Sequence, residues 1–413
     1  MKQFLRIQII VLCLWLLPVF WVAGESSLNA LCYVQDSSAE PIQGYRVNEL
    51  FEIASVSKVV TSYWAIKKLG PHFRFETKVH IKMVGDKIFD VHIQGSQDPF
   101  WGRQLTHFLF SELNRLGVRE IRSITFDENF KMRWKVLSDF VEIRNPSTNE
   151  IKVSIENHLA NLEREYADTW AEAVNARIGL PQRVFLRAKE VRFLSASEFY
   201  PDLENTRSFA LKSAPLFRYV KAMNRVSNNH VADKLYDYLG GTEAFASFIF
   251  ENLNPADVHF VNGSGNAVVI GYDKNGREVK EYNRASCKAI VSTLRLLQQE
   301  LKLDGNLDLK DVMAVSSSDE STLTPGYSTI PNSLVAKTGT VDSAVAISGL
   351  AVTNQSDIYF GVFYRTRGPA EWSAARRRVR EYVFDFFTRF GGAKTVVYSP
   401  QVFLPFDEKS GLK

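Results

Sequence analysis

The stretch SVSKVVTSYWAIKKLG, residues 55–70, decides the fold. Val59, Val60, Tyr63, Trp64, Ile66 and Leu69 recur at helical spacing, and Gly70-Pro71 stops the run. The spacing predicts a buried helix of about four turns at 3.6 residues per turn. Ser55 and Lys58 stand three apart at its start, so both side chains lie on one face within a single turn. A lysine so placed can take a serine proton, provided desolvation or nearby positive charge keeps part of it neutral. The helix N-terminus adds partial positive charge where negative charge develops. Alone, the pair is a weak signal. A capping serine beside a solvated lysine has the same pattern, and Ser410, Gly411, Leu412 and Lys413 repeat it by chance.

Upstream, residues 31–35, a turn at Glu40-Pro41 and residues 44–47 predict a hairpin that leads into Ser55. Downstream, from Phe75 to about Asn205, the texture changes to short strands at 87–93, 120–126 and 183–186, mixed with helices at 104–116 and 155–178. This region reads as an inserted domain. Helical patterning resumes at 216–223 and 231–239, followed by a glycine-rich loop at 262–266. Residues 344–352 and 357–364 predict an antiparallel pair, and 371–390 a last helix packed on the sheet with Arg376, Arg377, Arg378 and Arg380 solvated. The expected domains are 25–78 with 206–413, and 79–205 inserted between them.

The 413 residues are 45% hydrophobic, 23% charged and 12% aromatic, which excludes a disordered, collagenous or disulfide-stapled chain. At roughly 150 residues per domain, two lobes are expected. A formal charge of +4, half of it from Lys2 and Arg6, gives no case for a nucleic-acid partner. No two of the seven histidines have one-turn spacing, so no metal and no cofactor are expected. Residues 1–24 read as an export signal, with an uncleaved anchor as the alternative, and place the protein in the periplasm. Cys13 falls within that segment. Cys32 and Cys287 remain, either paired or as buried free thiols.

Two further motifs give the first one meaning. Ser227-Asn228-Asn229 sits between two predicted helices, and Lys337-Thr338-Gly339, followed by Thr340, opens a strand. This order resembles the penicillin-interacting serine enzymes. More closely, the chain resembles the penicillin-binding protein 4 family of D-alanyl-D-alanine carboxypeptidases and endopeptidases. Gly95-Ser96-Gln97-Asp98-Pro99, Leu116-Gly117-Val118, Ile124-Thr125-Phe126-Asp127 and Gly263-Ser264-Gly265 support the likeness. The chain departs from the family where Asn262 replaces an aspartate, where residues 266–283 are enlarged, and where a short interval from Ser55 to Ser227 implies loss of a nested third domain.

The resemblance implies an α/β (α+β) fold: a serine β-lactamase/transpeptidase-like domain whose antiparallel sheet is flanked by helices, with an inserted second domain. It implies Ser55 as nucleophile, Lys58 as general base, Ser227 as proton relay, and Asn229 and Lys337 as supporting groups. Thr338, Gly339 and Thr340 would bind substrate, with the Ser55 and Thr340 N–H groups as oxyanion hole. The implied partners are peptidoglycan stem peptides and β-lactams; an inhibitory protein is left unidentified. A wall-binding protein without turnover and a β-lactamase are the alternatives. Glu112-Leu113-Asn114 imitates a β-lactamase motif but lacks its glutamate at Phe110, and reads as structural.

Overall fold

Along Leu334–Val341, Ala344–Ala351 and Ile358–Arg365, successive side chains point to opposite faces, and both sets are largely apolar. A sheet of this kind must be covered twice. In the computed structural model, which describes residues 29–36, 41–136, 145–202, 204–303 and 307–412, it is. Six antiparallel strands run in the order Ala314–Val315, Leu334–Val341, Ala344–Ala351, Ile358–Arg365, Asn29–Gln35 and Gln43–Tyr45. The helix Trp372–Arg389 packs Val379, Val383 and Phe386 in one core with Ile347, Phe360 and Val362. On the opposite face, helices Ser57–Leu69 and Cys287–Leu303 share a core with Ala346 and Phe363. Trp64 anchors that core through ring contacts with Tyr236, Phe245 and Phe248. Cys32 and Cys287, left open by the sequence, are joined as a disulfide between strand and helix.

A second core forms on a five-stranded sheet ordered Arg187–Phe193, Glu120–Phe126, Ile88–Gln94, Glu76–Gly85 and Thr206–Lys212. Its first three strands are parallel because helices cross over between them. Arg103–Arg115 makes the first crossover, and Thr148–Ala160 with Leu162–Asn175 makes the second.

Three expectations shift. The single helix predicted over 155–178 is two helices, parted at Asn161 where φ is −108° and ψ 9°. A capping box of Ser147 and Glu150 starts the first of them upstream of the predicted start. The strand predicted at 183–186 begins instead at Arg187; Val184 and Leu186 are buried in the irregular approach to it, which imitates strand alternation. Residues 206–212, assigned by sequence to the first lobe, pair along their whole length with Glu76–Gly85. Leu404, Phe406 and Leu412 also pack into the second core. Pairing across more than a hundred residues leaves no local mark in the sequence. Residues 1–24 lie outside the described residues. Among the described residues, no helix is long and apolar enough to cross a membrane.

Candidate active site

The chain reaches Ser55 through Ala54, whose φ of 48° is left-handed. A short turn, Ala54–Val56, then opens the helix Ser57–Leu69. Lys58 follows in the first turn and is fully buried. Its Nζ lies 2.9 Å from Ser55 Oγ, 2.7 Å from Asn229 Oδ1 and 2.9 Å from the Ser264 carbonyl oxygen. Two glycines let these segments converge. A Cβ at Gly265 would meet the Ala54 oxygen at 1.9 Å, and one at Gly339 would meet the Ile53 oxygen at 2.7 Å.

Ser227 takes the left-handed conformation (φ 57°, ψ 43°) that ends the helix Leu216–Val226. Asn228 caps the next helix, Asn229–Tyr238, by accepting from the Val231 N–H at 3.0 Å. This turn brings Asn229 to Lys58 and Ser227 to Lys337. Lys337, also fully buried, donates from Nζ to Ser227 Oγ at 2.9 Å and to the Thr338 oxygen at 2.7 Å. Asn228 Nδ2 donates to the Val136 oxygen at 2.6 Å, tying this motif to the second-lobe segment that follows the strand Glu120–Phe126.

All eight residues singled out by sequence therefore gather in one place. Ser55, Ser227, Thr338, Gly339 and Thr340 line a cavity of about 460 Å³; Lys58, Asn229 and Lys337 stand behind it. Burial pulls the Lys58 ammonium down from 10.5 to about 7, opposed by the negative charge of Asp233. Burial, then the charge of Lys58, pushes Lys337 well below its ordinary value. A neutral Lys58 has two N–H groups and one lone pair. Asn229 and Ser264 offer only acceptors to it, so the lone pair is left for the Ser55 hydroxyl proton.

Sequence reasoning missed several neighbours. Asp233 accepts from the Ser264 N–H at 2.8 Å. Asn262 accepts from the Gly265 N–H at 2.8 Å, so the departure from aspartate keeps the acceptor the loop needs. Arg376 and Arg380, read as solvated, line the cavity together with Thr322. Their one available signal was their place flanking the buried Ala375, Val379 and Val383 stripe. Thr322 left none: its Oγ1 is 2.7 Å from Thr338 Oγ1 through an irregular loop. The enlarged segment forms a hairpin, Val268–Tyr272 with Glu278–Glu281. Glu112 is structural: it holds Arg115 at 2.6 Å and the Leu412 N–H at 2.8 Å.

A cavity-lining serine backed by a buried lysine, a serine–asparagine turn and a lysine-bearing strand around one cavity define the class of penicillin-interacting serine peptidases. The comparisons narrow that class. The model of the D-Ala-D-Ala carboxypeptidase 3 (S13) family matches residues 25–134. Bd0816, a predatory endopeptidase from Bdellovibrio bacteriovorus solved with the immunity protein Bd3460, is 30% identical, with 94% of this chain and 99% of that one covered and a TM-score of 0.84. Bd3459, a predatory peptidoglycan endopeptidase from the same organism, is 33% identical over 94% and 99%, with a TM-score of 0.82, and is also known acylated by penicillin G. Penicillin binding protein 4 from Haemophilus influenzae shares the fold, at 14% identity over 88% and 96% and a TM-score of 0.56. No curated protein matches. The chain belongs to the D-Ala-D-Ala carboxypeptidase 3 (S13) family of serine peptidases.

Proposed function

We propose that this peptidase cuts the D-alanyl bonds of peptidoglycan stem peptides through a Ser55 acyl-enzyme, with cross-link cleavage as its principal reaction. One observation carries the chemistry: a desolvated amine, Lys58, lies 2.9 Å from the Ser55 hydroxyl. The naming of Bd3459 as a peptidoglycan endopeptidase supports the choice of substrate.

Lys58 Nζ takes the Ser55 proton as Oγ bonds to the D-alanine carbonyl carbon. Negative charge on the carbonyl oxygen is held by the Ser55 and Thr340 N–H groups. Collapse breaks the C–N bond; Ser227 passes its proton to the departing amine and regains one from Lys58, which returns Lys58 to its neutral form. Water then attacks the ester, giving a proton to Lys58, and as the C–O bond breaks Lys58 hands that proton to Ser55 Oγ. Lys337 supports Ser227. Its buried ammonium is disfavoured by desolvation, and a substrate carboxylate bound at Thr338 raises its pKa and restores its charge. A β-lactam enters the same acylation route, but its leaving amine stays tethered and release is slow.

We further infer that residues 1–24 direct export to the periplasm, where the wall lies. The immunity protein found with Bd0816 and Bd3459 supports an inhibitory protein partner for this chain. Mass analysis of muropeptides after incubation of the enzyme with purified wall tests the reading. Conversion of dimers to monomers, lost in Ser55→Ala, is expected. Trimming of terminal alanine without dimer loss overturns the cross-link assignment, and no change in either product overturns the enzyme.

A further inference from the structure

Three helices of the second lobe bring together side chains that the peptidase reaction does not use. His107 lies on Arg103–Arg115, His158 on Thr148–Ala160 and Glu165 on Leu162–Asn175. One candidate ligand atom from each lies within 4.8 Å of the other two. Both imidazoles are fully buried, and Glu165 is at the rim, its side chain 20% exposed. Neither ring nitrogen of His158 has a hydrogen-bond partner; nor do His107 Nε2 and Glu165 Oε2. Buried polar atoms of native proteins are nearly always satisfied, so unpartnered atoms on three residues, one from each drawn together within 4.8 Å, mark a missing partner.

We propose that His107, His158 and Glu165 bind one zinc ion that clamps these three helices. Two neutral imidazoles and a carboxylate are a donor set zinc favours, with a fourth position left for water at the exposed rim. His107 Nδ1 is held by Thr169 Oγ1 at 2.8 Å, which fixes the ring and leaves Nε2 for the metal, as outer partners of zinc ligands do. Trp134 stacks on His158 with ring centroids 3.5 Å apart and fixes the second ring. Burial holds both histidines well below their ordinary pKa, in the ligating form. Two cations stand near: Arg164 lies 3.4 Å from Glu165 Oε1, the other carboxylate oxygen, and Arg103 is engaged by Asp168 at 3.3 Å and Glu172 at 3.0 Å, which offsets its repulsion of a dication. Donors around a tetrahedral zinc stand about 3.3 Å apart, so the side chains close in by roughly 1 Å on binding.

The test uses the full mature chain stripped by chelator, then dialysed against buffered zinc and analysed for bound metal. One zinc per chain and a raised Tm are expected, with cobalt giving the visible absorption of a tetrahedral site. Glu165→Gln, at the rim where folding is least at risk, should weaken zinc binding about 100-fold; Thr169→Val should weaken it about 10-fold. Penicillin labelling retained in both variants shows them folded. Absence of bound zinc in the parent chain overturns the proposal. So does zinc binding that Glu165→Gln and His107→Gln leave intact, because the metal then sits elsewhere.

Discussion

The buried lysines of the first lobe and two buried histidines of the second are held in opposite ways. In the first lobe, Lys58 and Lys337 are fully buried and each has several partners within hydrogen-bonding distance. In the second lobe, His107 and His158 are equally buried, yet His107 Nε2 and both ring nitrogens of His158 have no partner. His92 repeats the theme: it holds the Thr125 hydroxyl through Nδ1 and leaves Nε2 unpartnered. A satisfied buried amine is a tuned reagent, because its hydrogen bonds fix its geometry while desolvation sets its charge. The unsatisfied pair His107 and His158, with Glu165, forms the proposed zinc socket.

The sharpest way to break this contrast lies in the first lobe. Ser55→Ala should abolish labelling by fluorescent penicillin; a label that persists there assigns the nucleophile elsewhere. Lys58→Met should slow acylation by about 10²- to 10⁴-fold, read as the second-order rate with penicillin, and a near-normal rate removes the general-base role.

The disulfide separates the lobes in stability. It joins a strand and a helix of the first lobe, Asn29–Gln35 and Cys287–Leu303, and closes a loop of 255 residues that carries the inserted lobe within it. Cys287→Ser should cost about 3 kcal/mol, seen as a lower denaturant midpoint for the first lobe with the second little changed. Uniform loss across both lobes would mean that they unfold as one unit.

The seam between the lobes supplies a pH test. Asp98 is fully buried, accepts from the Phe100 N–H at 2.8 Å and the Tyr219 hydroxyl at 2.9 Å, and is raised by burial from 3.8 to about 7. Its folded pKa lies above its unfolded one, so between these values the folded state keeps a proton that the unfolded chain has released. Stability from this group is therefore greatest below about pH 4 and declines as pH rises through about 7. Asp98→Asn should remove a decline of several degrees in Tm between pH 5 and 8. An unchanged profile would show that Asp98 ionises normally.

The smallest effect sharpens the account of Lys58. Its pKa near 7 puts the rising limb of the acylation rate there, since only the neutral amine takes the serine proton. The charge of Asp233 holds that pKa up, so Asp233→Asn should move the limb to lower pH by about half a unit. A shift upward would contradict the stated balance of burial and charge.

Much of the fold was legible where burial follows local periodicity. The predicted strand at 120–126 matches Glu120–Phe126, and the apolar runs near the end pair antiparallel as Ala344–Ala351 and Ile358–Arg365. Residues 206–212 were not legible, because only Leu211 of that edge strand is buried and its partner lies far upstream. Asn161, which splits the long helix, is a residue that helices also tolerate. In the site, the eight motif residues were readable because their types and order survive in the chain. Thr322 and the two arginines were not, since their contact with the cavity follows from how a loop and a terminal helix pack.

The sequence by itself determined the reagents: a serine and a lysine one turn apart, then a serine–asparagine turn, then a lysine–threonine–glycine strand. Spacing within one turn is local geometry, and the chain carries it wherever it folds. Only the tertiary structure decided that Lys58 meets Asn229 across 171 residues, that its amine loses its charge near neutral pH, and that three histidine- or glutamate-bearing helices converge. The reason is common to all three. Desolvation and convergence belong to the atoms that surround a side chain, and those atoms arrive from elsewhere in the chain.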